Sequence, residues 1–308
     1  MFIFLIACKK PNHNVNENIN HNLEEIKEYN NELDETNEIS NNEPYESNNI
    51  SSNVEEVEIL NKSEMNINDR YNPPQGYTRV ELEEDSFGSF LRNQQLKPYG
   101  ELVEYYDGRF KNSQGRVYDS VFDINIGDRD LHQCADAIML LRAEYLYSQE
   151  RYDDISFHFV SGFNAEYSKW RQGNRIKVDG NDVKFYKATE ADNSYKTFRK
   201  YMEIVMAYAS TLSLEKELVS VDVNDIQIGD VFIKGGSPGH AIIVVDLAKN
   251  EEGESIFILA QSYMPAQQTQ ILINAKDKNI SPWYSLKDET KLDTPEWDFN
   301  LDKLKRFE

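Results

Sequence analysis

Two side chains in this sequence have the types that nucleophilic acyl chemistry needs, Cys134 and His240. A thiolate attacks the acyl carbon, an imidazole holds the thiol proton and later delivers it to the leaving group, and a third polar residue fixes the imidazole tautomer. For the third position the sequence offers Gln261. If the segments Ala241 to Asp246 and Ser255 to Gln261 pair as antiparallel strands with Asp246 opposite Ser255, His240 falls opposite Gln261 on one sheet face. A slip of one residue would send Gln261 to the other face, leaving Asp246 or Gln267 as substitutes. Gln133, or the backbone N–H of Cys134, could serve an oxyanion. The plain alternative is a small buried thiol at Cys134 and a strand-end histidine that caps a turn.

These residues need a helix and a hairpin to hold them. Leu131 to about Tyr147 reads as the most regular helix, with Cys134, Ile138, Leu141 and Tyr145 forming one apolar stripe. Asp130 and Gln133 have capping-box spacing, which puts Cys134 in the first turn, where the helix dipole favours a thiolate. His240 opens the second strand of a hairpin. Val231 to Ile233 and Ile242 to Val245 are β-branched runs, and Gly235 to Gly239 form the turn. Gly239, just before the imidazole, would leave room for a substrate.

Other segments supply the frame. Ser86 caps a helix to Leu96, and Ser194 caps a long one from Tyr195 to about Leu214. Leu102 to Tyr106, Val117 to Ile126, Ile155 to Val160, Ser255 to Gln261 and Gln270 to Ile273 read as strands. Val178 to Tyr186 reads as a hairpin about Asp179-Gly180. The tail from Ser281 onward is a surface wrap pinned by Trp283 and Trp297. Phe163, Tyr167, Lys169, Trp170, Arg171 and Arg175 bring aromatics and cations together, and Trp170 and Arg171 are candidates to line an anionic or sugar-bearing ligand. Aromatic core with solvated cations is the competing interpretation.

The chain has 308 residues, 39% hydrophobic, with a formal net charge of −21. So acidic a balance excludes nucleic acid as an expected partner. The two cysteines, Cys8 and Cys134, lie in regions of different character, so no disulfide framework is expected. Nothing in the spacing of Cys134, His132 and His158 resembles a zinc site, and no cofactor is expected. Met1 to Ala7 is apolar, too short to span a bilayer, and looks like the end of a secretory h-region. Lys9 to residue 70, rich in Asn and Glu, cannot bury enough apolar surface to offset its ordering entropy and is expected to be a disordered tether. Residues 71–308 then form one α+β domain.

Two resemblances add to this. Leu5-Ile6-Ala7-Cys8 resembles a bacterial lipobox, although no basic segment precedes it. That implies residues 1–8 are a signal remnant, Cys8 a lipidated N-terminus, and the protein anchored to a membrane of the bacterial envelope, on its periplasmic or surface face. A helix that begins with cysteine, a Gly229-Asp230-Val231 strand, Gly239-His240-Ala241 leading the next strand and then a polar residue resemble the NlpC-type papain-like peptidases and amidases. This implies a papain-like core, its nucleophile helix packed on an antiparallel sheet, with Cys134, His240 and Gln261 catalytic and a peptide or cell-wall substrate. Here Gln133-Cys134-Ala135 replaces the usual Asp-Cys-Ser, and Gln261 stands where His or Asn is commoner. The strings His132 to Ala137, Leu141 to Tyr147, Tyr167 to Trp170 and Ala260 to Gln267 are similar to domain-of-unknown-function family 4846, over roughly Tyr71 to Lys305. Three functions follow: an anchored cysteine hydrolase, a non-catalytic lipoprotein that binds a ligand on the same scaffold, and a structural lipoprotein with Cys134 buried.

Overall fold

The computed structural model describes residues 58–308. The lipobox with Cys8, and the tether as far as residue 57, lie outside the described residues. Folded structure already includes 58–70, which the sequence assigns to the tether. Ile67 and Arg70 are fully buried there, and Leu60 bridges to Tyr71. Arg70 anchors the segment through hydrogen bonds to the carbonyls of Glu64 and Lys97.

The centre is a mixed α+β arrangement built on one nine-stranded sheet. Its strands in chain order are β1 (Thr78–Arg79), β2 (Tyr118–Val121), β3 (Val219–Ser220), β4 (Val231–Lys234), β5 (His240–Lys249), β6 (Ser255–Gln261), β7 (Gln270–Leu272), β8 (Trp283–Ser285) and β9 (Leu304–Arg306). Spatial order is β2-β7-β6-β5-β4-β9-β3, with β1 against β5 and β8 against β6, and every pairing is antiparallel. The helices are α1 (Ile67–Arg70), α2 (Phe87–Arg92), α3 (Cys134–Ser148), α4 (Tyr167–Arg171), α5 (Tyr195–Tyr208) and α6 (Thr211–Glu217).

Alternation along β4 to β6 divides the core into two layers. Val231, Ile233, Ala241, Ile243, Ile258 and Ala260 pack with Ile138, Met139 and Leu141 of α3. Phe232, Ile242, Val244 and Leu259 face the other way, toward Tyr284, Leu292 and Phe299. Each buried Ile, Val or Phe contributes roughly 1.5–3 kcal/mol, so this two-sided burial is what holds the central strands. The C-terminal segment is therefore more than a surface wrap. Trp283 is fully buried in β8, and the Lys291–Asp293/Asp298–Asn300 hairpin covers the second face.

Strands expected at Leu102 to Tyr106, Val117 to Ile126 and Ile155 to Val160 are shorter, at Val103–Glu104, Tyr118–Val121 and Ser156–His158, and three helix boundaries differ as well. Helix α3 begins at Cys134 rather than Leu131, and its box is closed by Asp136, whose carboxylate accepts the Gln133 backbone N–H at 3.1 Å. The long helix after Ser194 breaks at Ala209, because Ser210 caps a new helix by accepting the N–H of Leu212. Helix α2 stops at Arg92. Its guanidinium turns onto Asp246 at 2.7 Å, opposite Arg79 at 2.7 Å. Both contacts occur where the β5–β6 register shifts between Val244 and Asp246.

Candidate active site

Cys134 is the first residue of α3 and only 7% exposed. Its sulfur lies among the backbone N–H groups of Ala135 and Cys134 at the helix start and of Ala241 on β5. Those dipoles favour a thiolate, as does the helix terminus. Burial outweighs them and, with the nearby Asp136 carboxylate, pushes the thiol up to about 11. The expectation of a poised thiolate is thus reversed in the resting protein. Asp136 itself is buried, and desolvation raises its carboxyl to about 8.

His240 is 2% exposed, and burial lowers its imidazole to about 4 against the favourable bond from Gln261. That bond joins His240 Nε2 to Gln261 Oε1 at 2.8 Å. The pairing that produces it is not the one read from the sequence. Ser255 pairs with Lys249 rather than Asp246, three residues off. The bulge at Val245 takes one residue back, so Ile243 pairs with Ala260. The net displacement near the site is even, and parity keeps Gln261 on the imidazole's face. Gln261 therefore meets His240 diagonally rather than directly across.

The imidazole is enclosed by aromatics. Ring centroids lie 4.8 Å from Tyr263, 5.5 Å from Trp297 and 6.0 Å from Phe299. Alternation sends Ala241 to the helical layer, where its backbone N–H meets the Cys134 sulfur, and His240 to the opposite face, against Trp297 and Phe299. Burial, and after it the acidic groups of Glu296 and Cys134, raise the pKa of the Tyr263 hydroxyl. Space beside Gly239 belongs to the protein and not to a substrate. A methyl group there would stand 2.5 Å from the Gly236 carbonyl oxygen and 2.6 Å from Thr211 Oγ1.

Beyond Gln261 the network continues through residues the sequence did not single out. Gln261 Nε2 donates to Glu296 Oε2 at 2.6 Å, and Lys111 Nζ donates to Glu296 Oε1 and Oε2 at 2.8 and 2.7 Å. Glu296 sits in the turn of the C-terminal hairpin, 35 residues from Gln261 and 185 from Lys111, so no local spacing could reveal it.

The remaining candidates are used elsewhere. Gln133 donates its amide to Asp130 Oδ1 at 3.0 Å. Asp246 is held by two arginines, and Gln267 binds the His132 and Pro265 carbonyls. Trp170 is buried on α4 with its indole N–H on the Thr197 carbonyl, while Arg175 lies 4.3 Å over its ring. Arg171 stacks 4.6 Å over Tyr152 and bonds Asn193. These aromatics and cations build the α4–α5 packing rather than the Cys134 neighbourhood. Lys249, Asp225 and Arg306 help line a cleft of about 860 Å³, but it offers no nucleophile beside a base, so its size assigns it no chemistry. Among the described residues, no helix is long and apolar enough to cross a membrane.

Comparison with protein-family models matches residues 67–306 to the family described as Domain of unknown function (4846). No curated protein and no solved structure matches the chain.

Proposed function

We propose, for a chain that belongs to the family of unknown function (4846), a cysteine peptidase or amidase with a papain-like arrangement. The observation that carries this reading is the 2.8 Å bond between His240 Nε2 and Gln261 Oε1. Because the amide oxygen can only accept, Nε2 carries the ring proton and Nδ1 keeps the lone pair that a general base needs. In the reaction the Cys134 S–H proton passes to Nδ1 as sulfur attacks the substrate carbonyl carbon. The tetrahedral oxyanion would be met by backbone N–H groups at the start of α3. The C–N bond then breaks, and the amine leaves with the proton from Nδ1. Water, deprotonated by the same imidazole, releases the acid from the thioester. With the thiol near 11 and the imidazole near 4 at rest, proton transfer and attack run together rather than through a standing ion pair.

Peptides of the cell wall are the proposed substrate class, with the protein anchored to the envelope through Cys8. Incubation with purified peptidoglycan peptides should give turnover that Cys134→Ala and His240→Ala abolish to a similar extent, since the pair acts as a unit. Gln261→Ala should cost less. In the same preparations Cys8→Ala should release the protein from membranes. A crystal structure with a peptide aldehyde on Cys134 should place the sulfur within about 4 Å of Nδ1. A separation beyond about 6 Å with packed side chains between would overturn the hydrolase reading. One observation favours a second reading. The nearly closed surroundings and unpoised resting groups also suit a non-catalytic ligand-binding lipoprotein, which predicts peptide binding that survives Cys134→Ala.

A further inference from the structure

Glu296 and Lys111 have no part in the reaction as written, yet they are joined to its base. A primary amide such as Gln261 has a donor end and an acceptor end of nearly equal size, and its partners decide which way it turns. One neighbour, the imidazole, can accept either end, because it can carry its proton on either nitrogen. The other neighbour cannot. Glu296 is salt-bridged to the largely buried Lys111 through both carboxylate oxygens, at 2.8 and 2.7 Å, so it offers only acceptors. Gln261 must therefore turn its NH₂ to Glu296, at 2.6 Å, and its oxygen to the ring.

We propose that Glu296, held by Lys111, is a positioning residue that fixes the neutral tautomer of His240 through Gln261. The chain Lys111–Glu296–Gln261–His240 transmits polarity in one direction because its first member is a pure donor and its second a pure acceptor. The hairpin that carries Glu296 also lays Trp297 and Phe299 on the ring, so docking of the C-terminal segment sets both the ring's proton and its packing. The catalytic consequence rests on His240 being the base, whereas the tautomer itself does not.

The test uses full-length protein with ¹⁵N-histidine and the long-range ¹H–¹⁵N spectrum at pH 7, where the imidazole is neutral. Wild-type His240 should show a single tautomer with its proton on Nε2. Glu296→Gln places a group there that both donates and accepts, so Gln261 is free to flip. The spectrum should then show Nδ1–H or an average of the two forms. In turnover assays, the same variant should lower kcat at least about tenfold with KM unchanged, as expected for a base in the wrong tautomer. Where Glu296→Gln does not fold, Lys111→Met combined with Glu296→Gln removes the buried charge as a pair and gives the same readout. A wild-type proton on Nδ1, or an unchanged tautomer in the variants, overturns the proposal. The Nε2–H form, lost in Glu296→Gln, in a protein that cleaves no peptide would keep the role of Glu296 and remove the hydrolase.

Discussion

Alkylation of Cys134 across a pH range tests the balance between dipole and burial. The thiol is raised from an ordinary value of 9.0 to about 11. Two units correspond to about 3 kcal/mol of preference for the neutral form. A helix N-terminus returns roughly 0.3–1 kcal/mol, rarely about 2, so burial wins. At pH 7 the thiolate fraction falls to about 10⁻⁴, roughly 100-fold below an unhindered thiol. The assay is iodoacetamide labelling of a Cys8→Ser protein, in which Cys134 is the sole thiol. Rates should climb about tenfold per pH unit from 7 to 10 and inflect near 11, then revert to an inflection near 9 in urea. Restricted access lowers the whole profile without moving its inflection, so the two effects separate. Asp136→Asn should move the inflection downward, since that carboxylate is second only to burial in raising the thiol. Rapid labelling of the folded protein with an inflection at or below pH 8 would refute the reasoning.

Two further outcomes concern stability. Asp246→Ala leaves Arg79 and Arg92 facing each other in a buried site without their shared carboxylate, and urea denaturation should show a loss of about 3–5 kcal/mol. Asp136 behaves in the opposite sense. Its raised carboxyl keeps a proton in the folded state that the unfolded chain releases above about pH 4, so its contribution is present below that point and is lost as pH rises toward about 8. Asp136→Asn should therefore match wild type near pH 4 and become progressively more stable than it up to pH 8, by thermal melts. A constant difference across that range would show that Asp136 does not titrate as described.

The strand and helix identities around the site came from the sequence alone. The bounds of β6 are those expected, and α3 was placed within a few residues, because β-branched runs and runs of helix formers are local signals, although α3 buries consecutive residues from Cys134 to Leu141 rather than the single stripe expected. Lateral pairing is not local. The β5–β6 register was misread by three residues, and Gln261 reached His240 only because the bulge at Val245 restored an even offset. The state of the thiol was likewise beyond sequence. Position at a helix start points to a thiolate, but desolvation depends on what covers the residue, and that cover comes from distant segments. Glu296 and Lys111 make the same point. An acidic residue near the end of the chain and a lysine in its first half look like solvated charges in a protein of net charge −21. Only the folding of the C-terminal hairpin over the second sheet face makes Glu296 a partner of both Lys111 and Gln261. Types, periods and turns belong to neighbouring residues and can be read along the chain, whereas parity, burial and partners are fixed by which surfaces meet.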